Sequence, residues 1–151
     1  MEVYYLKTSE LYVSRKSCKI TTVLGSCVAV CLWDKELRYG GMNHFLLPQY
    51  NVNSSYAPSP KFGDYAINDL ILKMNNLGSK TSNIRAKVFG GAKIFNIGLN
   101  IGEKNIGMAF DVLKKRKIPI IQQDTGGLIP RKIIFYNIEN KIELIKIKKT
   151  I

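Results

Sequence analysis

Short runs of apolar and β-branched residues, broken by polar turns, fill the first 47 positions of the chain, and a longer period takes over from Asp64. VYYL (3–6), LYVS (11–14) and KITTVL (19–24) read as strands. VAVCLW (28–33) and GGMNHFLL (40–47) form a second group, and the polar DKELR between them makes the pair a hairpin. PQYNVNSSYAPSPKFGD (48–64), polar and with three prolines, is the longest loop.

Beyond the loop, Ala66, Ile67, Leu70, Ile71, Met74 and Leu77 recur at helical spacing, and Gly78 supplies the stop. IRAKVFGG (84–91) is a strand running into glycines. Ile106, Ala109, Phe110 and Leu113 mark a second helix from about Glu103 to Arg116, with its cations in the last turn. IPIIQQD is a strand, TGG a turn, and KIIFYNI with IELIKI a closing hairpin around Glu139-Asn140. The expected fold is a sheet-rich α/β domain whose two main helices pack on one face, with residues 1–151 forming a single domain.

The first hairpin brings chemistry with it. A turn centred between Lys35 and Glu36 sets Cys27 directly opposite His44, the single histidine of the chain. Opposed side chains have Cβ atoms ~4.5–5.5 Å apart, within reach of a thiol–imidazole contact. Gly25 permits a backbone conformation closed to other residues, and amide N–H groups around Ser26 and Cys27 would be free to hold an oxyanion. An orienting acceptor for the imidazole is available on the preceding strand in Thr21 or Thr22, with Thr21 favoured because it shares strand parity with Cys27. On spacing alone a buried core cysteine beside a satisfied core histidine is the commoner arrangement. Cys31 reads as such a core cysteine, and Cys18 has no partner signal. One histidine with a Cys-x3-Cys pair does not make a zinc site.

Composition narrows the partners only a little. The chain has 46% hydrophobic residues and three cysteines, an odd number that reads as free thiols. No stretch approaches the ~18 unbroken apolar residues of a membrane span. The start MEVYYLKTSE, acidic at position 2, lacks the apolar core of a signal peptide, and the expected compartment is the cytoplasm. The net charge of +12 favours an acidic protein surface, nucleic acid or an anionic membrane. The basic residues are scattered, apart from KKRK (114–117) and KIKK (146–149), and no interleaved aromatics suggest a single-strand binder, so nucleic acid is not expected as a partner.

TTVLGSCVAVCLWD (21–34) followed by GGMNHFLLP (40–48) closely resembles the CheD family of chemoreceptor glutamine deamidases. The likeness continues through KFGDYAINDLILKM, AKVFGGA, NIGLNIGEKN, DTGG and the Arg131-Lys132 pair, over about residues 18 to 138. In one departure Pro130 stands where the family usually has a glycine before Arg-Lys.

The resemblance places the nucleophile on Cys27, the base on His44 and the assisting threonine on Thr21; Gly25, Ser26 and Asn43 flank them as substrate-binding residues. It implies a fold like the catalytic domain of glutamine-deamidating toxins. It also implies hydrolysis of particular glutamines in methyl-accepting chemotaxis receptors, and binding to a CheC-type phosphatase. That chemistry requires no metal or organic cofactor. The rival readings are a non-catalytic chemotaxis adaptor that binds the phosphatase or receptor, and a basic nucleic-acid-binding domain. FGGA (89–92) and DTGG (124–127) fit close approach of a receptor helix and simple turn geometry equally well.

Overall fold

A computed structural model describes residues 1–53, 55, 57–94 and 100–148. Residues 96–99 of the NIGLNIGEKN motif and residues 54 and 56 of the long loop lie outside that set. The elements are β1 (Glu2–Tyr5), β2 (Leu11–Ser14), β3 (Cys18–Leu24), β4 (Val28–Asp34), β5 (Tyr39–Asn43), α1 (Gly63–Asn76), a 3-10 turn (Thr81–Asn83), β6 (Ile84–Gly90), α2 (Ile101–Lys115), β7 (Ile120–Thr125), β8 (Arg131–Tyr136) and β9 (Lys141–Lys146). Among the described residues no helix is long and apolar enough to cross a membrane.

The strands divide into two sheets, of order β1-β3-β8-β9 and β2-β5-β4-β6-β7. Strand β4 explains why they stack as they do. Val28, Val30 and Leu32 pack with Ala66, Ile67, Leu70 and Met74 of α1, while Ala29 and Cys31 turn the other way and meet Cys18, Ile20 and Leu24 of β3 and Ile133 and Phe135 of β8. A strand covered on both faces needs an unbroken apolar run, which is what VAVCLW is. The result is an α/β sandwich of three layers: helices, the five-stranded sheet, and the four-stranded sheet. The expected packing of both helices on one face is found, but it is one face of the central sheet; a second sheet covers the other. Each fully buried Leu, Ile or Val here stabilises the fold by roughly 1.5–3 kcal/mol relative to exposure.

Two local outcomes matter for the site. The chain passes from one sheet to the other through Gly25-Ser26, between β3 and β4. The β4–β5 hairpin is present, with Asp34 opposite Tyr39, Leu32 opposite Gly41 and an isolated bridge from Val28 to Phe45. Its turn therefore spans Lys35 to Arg38 and is centred one residue later than expected. Asp34 causes this: its Oδ1 accepts the Glu36 and Leu37 N–H groups at 2.8 and 2.9 Å, its carbonyl accepts the Arg38 N–H at 2.8 Å, and Arg38 adopts φ 57°.

Candidate active site

Cys27 and His44 flank the β4–β5 hairpin on the face of its sheet that is turned towards the other sheet. Cys27 lies just ahead of β4, half-buried, and packs against the inter-sheet core. His44 follows β5 and is 3% exposed. On the observed register His44 stands level with Ala29, so Cys27 is its diagonal neighbour rather than its direct partner. The offset is two residues, an even number, so both side chains stay on the same face of the sheet. Among the described residues no hydrogen bond joins the Cys27 thiol to the ring.

The break in the ladder around His44 comes from Asn43. Its Oδ1 takes the Val30 N–H at 2.9 Å and interrupts regular β4–β5 pairing. His44 pairs instead with the β1–β2 turn: its N–H donates to the Glu10 carbonyl at 3.1 Å, and its carbonyl accepts the Ser9 N–H at 2.8 Å.

Hydrogen bonding fixes the imidazole's proton. Nδ1 lies 2.7 Å from Thr22 Oγ1. The Thr22 hydroxyl donates its single proton to the Leu6 carbonyl, also at 2.7 Å. It therefore accepts from Nδ1–H, and the lone pair of the neutral ring sits on Nε2. Thr8 Oγ1, on the β1–β2 turn, lies 3.5 Å from that nitrogen. Burial lowers the His44 pKa to about 4, and burial raises that of the Cys27 thiol, opposed in part by its own backbone N–H. At neutral pH the site thus rests as a neutral thiol beside a neutral imidazole.

Thr21, expected to orient the ring, makes no hydrogen bond to it. Thr22 does. The parity argument fails because the chain changes sheets at Gly25-Ser26: Thr22 shares the inward face of β3 with Ile20 and Leu24, while Thr21 alternates with exposed Val23 on the outer face. The Thr21 hydroxyl has no hydrogen-bond partner among the described residues. Its carbonyl accepts the Leu6 N–H at 2.8 Å, which sets Leu6 in place for Thr22.

Gly25 does not adopt the left-handed conformation expected of it; its carbonyl accepts the Ala92 N–H at 3.0 Å, and an added Cβ would press on Ile94. The glycine that the site does require is Gly90, at φ 107°, where a Cβ would collide with the Cys27 carbonyl. The Ser26 N–H donates to no backbone acceptor among the described residues, and the Cys27 N–H faces its own thiol. Asn43 is fully buried and its Oδ1 is engaged with backbone, so it is not open to a substrate.

FGGA and DTGG hold each other: Gly126 N–H donates to the Gly90 carbonyl at 2.9 Å, Lys93 N–H to that of Gly127 at 2.8 Å, and Arg131 Nη2 to Gly126 at 2.6 Å. β8 opens at Arg131, one residue ahead of the expected KIIFYNI strand and directly after Pro130, whose carbonyl accepts the Ile147 N–H.

Sequence reasoning missed Asn105. This fully buried α2 side chain donates through Nδ2 to the carbonyls of Ser26 and Leu46, both at 3.0 Å. One carboxamide therefore ties down the segment before Cys27 and the segment after His44. An asparagine inside an amphipathic helix, on the face where apolar residues belong, was the available signal.

A family model described as CheD chemotactic sensory transduction matches residues 46–146. The chain is 42% identical to the probable chemoreceptor glutamine deamidase CheD of Sulfurimonas denitrificans, over 99% of this chain and 97% of that protein. It is 42% identical to the protein of the same name from Trichlorobacter lovleyi, over 87% and 82% of the two chains. The chain belongs to the CheD family. The family match begins two residues after His44, so membership rests there on the helices and later strands; the alignment with the Sulfurimonas denitrificans protein covers nearly the whole chain, the Cys27–His44 segment with it.

Proposed function

We propose that this chain is a chemoreceptor glutamine deamidase that hydrolyses receptor glutamine side chains to glutamate, with Cys27 as nucleophile and His44 as general base and acid. The observation that carries the reading is that a half-buried thiol and an imidazole with a lone pair on Nε2 hold neighbouring positions on one face of the sheet. CheD relatives named as deamidases support the substrate class.

The neutral pair transfers its proton during attack. The Cys27 proton passes to Nε2 as sulfur adds to the glutamine Cδ, and the Ser26 and Cys27 N–H groups stabilise the oxyanion. His44 then protonates the departing nitrogen, which leaves as ammonia and forms a thioester. Water, losing a proton to Nε2, attacks the thioester; collapse returns that proton to sulfur and releases glutamate. Thr22 serves as the orienting acceptor, with the Leu6 carbonyl behind it. The whole chain acts as one cytoplasmic unit on methyl-accepting receptors, and a CheC-type phosphatase is its regulatory partner.

Mass spectrometry of a receptor co-expressed with the chain tests this reading. Specific receptor peptides should show the mass gain from side-chain amide to acid, and Cys27→Ala should remove it. Identical peptide masses with and without the intact chain would overturn it.

A further inference from the structure

The turn between β1 and β2 contributes a residue to this site that sequence patterns do not mark. The turn is closed by Glu10 N–H to the Lys7 carbonyl at 3.2 Å and by Lys7 N–H to Glu10 Oε1 at 2.7 Å, with Ser9 at φ 69°. It is laced to the backbone of His44 on both sides, through Ser9 and Glu10. Thr8 is thereby held against the ring, exposed, while the imidazole behind it is 3% exposed.

The direction of the Thr8 contact follows from Thr22. Since Nδ1 carries the proton, Nε2 has only a lone pair to offer, and Thr8 Oγ1 must donate. That lone pair is the one Cys27 needs. We propose that Thr8 is a positioning residue whose hydroxyl occupies Nε2 of His44 in the resting site and restrains thiol activation until it yields. At 3.5 Å the contact is long and readily surrendered, whereas the Thr22 contact at 2.7 Å persists. The assignment of Nε2 as the receiving nitrogen rests on the deamidase reading; the Thr8 contact itself does not.

The test uses the intact chain and needs no receptor. Cys18 and Cys31 are buried, at 1% exposure each, so alkylation by iodoacetamide under native conditions reads Cys27. Thr8→Val should raise that alkylation rate at neutral pH by about 2- to 10-fold, the range set by loss of one neutral hydrogen bond, and Thr8→Ser should restore the wild-type rate. Nitrogen NMR of the single imidazole supplies the second readout. In the wild type it should show the proton on Nδ1 and a hydrogen-bonded lone pair on Nε2, and in Thr8→Val a free one.

An unchanged alkylation rate together with an unchanged Nε2 signal in Thr8→Val overturns the proposal. So does a wild-type ring protonated on Nε2. If Thr8→Val responds as stated but no receptor glutamine is converted, the deamidase reading fails and the Thr8 contact stands.

Discussion

Thr22 Oγ1 accepts the Nδ1 proton of His44 at 2.7 Å while giving its own proton to the Leu6 carbonyl. Two threonines stand in sequence at this point, and the hydroxyl that reaches the ring is the second. Thr22→Val should leave Nδ1–H without its acceptor and the ring without a fixed tautomer. We expect kcat/KM for receptor deamidation to fall by about 100-fold, as for other misplacements of a reacting group. Thr22→Ser should retain most of the rate, and Thr21→Val should be close to wild type. Steady-state rates on one receptor fragment separate the three; a large loss in Thr21→Val with a silent Thr22→Val would reverse the assignment.

The three thiols should behave differently. Cys27→Ala should cost several orders of magnitude in kcat. Cys31, buried between the sheets with Ala29 and Phe89, should instead show up in stability: Cys31→Ala should lower unfolding free energy by about 1–2 kcal/mol with kcat little changed. Urea titration beside a rate assay distinguishes the two kinds of loss.

Much of this site was legible in the sequence, and the parts that were not have specific causes. The Gly-Ser corner ahead of the unbroken apolar run VAVCLW singles out Cys27, and the hairpin puts His44 on the same face of the sheet. The exact register was missed because Asp34 folds four residues into the turn through its own carboxylate, a choice the apolar pattern does not encode. Parity points to Thr21, whereas the hydroxyl on the ring is that of Thr22, because parity does not carry across a corner where the chain leaves one sheet for the other. Asn43 looked available because it adjoins His44, but its carboxamide substitutes for backbone in the ladder. Asn105 and Thr8 lie far from the motif in sequence and are brought to it only by the tertiary packing of α2 and of the β1–β2 turn.

Asn105 should act on rate and stability together. Asn105→Leu keeps the branched outline and the number of side-chain heavy atoms but removes both donors, leaving the Ser26 and Leu46 carbonyls without that partner. An unsatisfied buried polar group costs about 1–3 kcal/mol, so unfolding free energy should drop by an amount in that range. Because the same carboxamide sets the spacing between the Cys27 and His44 segments, kcat should fall with little change in KM. A stable, fully active Asn105→Leu would show that the two segments hold their places without α2.

The pH dependence of stability has a sign set by His44. Its folded-state pKa, about 4, lies below the ordinary value of 6.5, so the unfolded chain binds this proton more readily than the folded one. Above pH 6.5 neither state is protonated and the histidine imposes no penalty. As pH falls from 6.5 towards 4 the unfolded state gains protons first, and stability is lost progressively. Below about 4 both states are protonated and the loss levels off. A shift of this size corresponds to about 3 kcal/mol across the window. The cause is desolvation of a ring 3% exposed between two sheets, so the effect should be insensitive to salt. His44→Gln, which keeps a side-chain amide near Thr22 but has no proton to gain, should flatten that portion of the curve while leaving the carboxylate-driven loss at lower pH. Urea unfolding of both proteins at half-unit intervals from pH 7 to 4 measures the difference directly; parallel curves would place the imidazole in a far more solvated setting than its contacts with Thr22 and Thr8 allow.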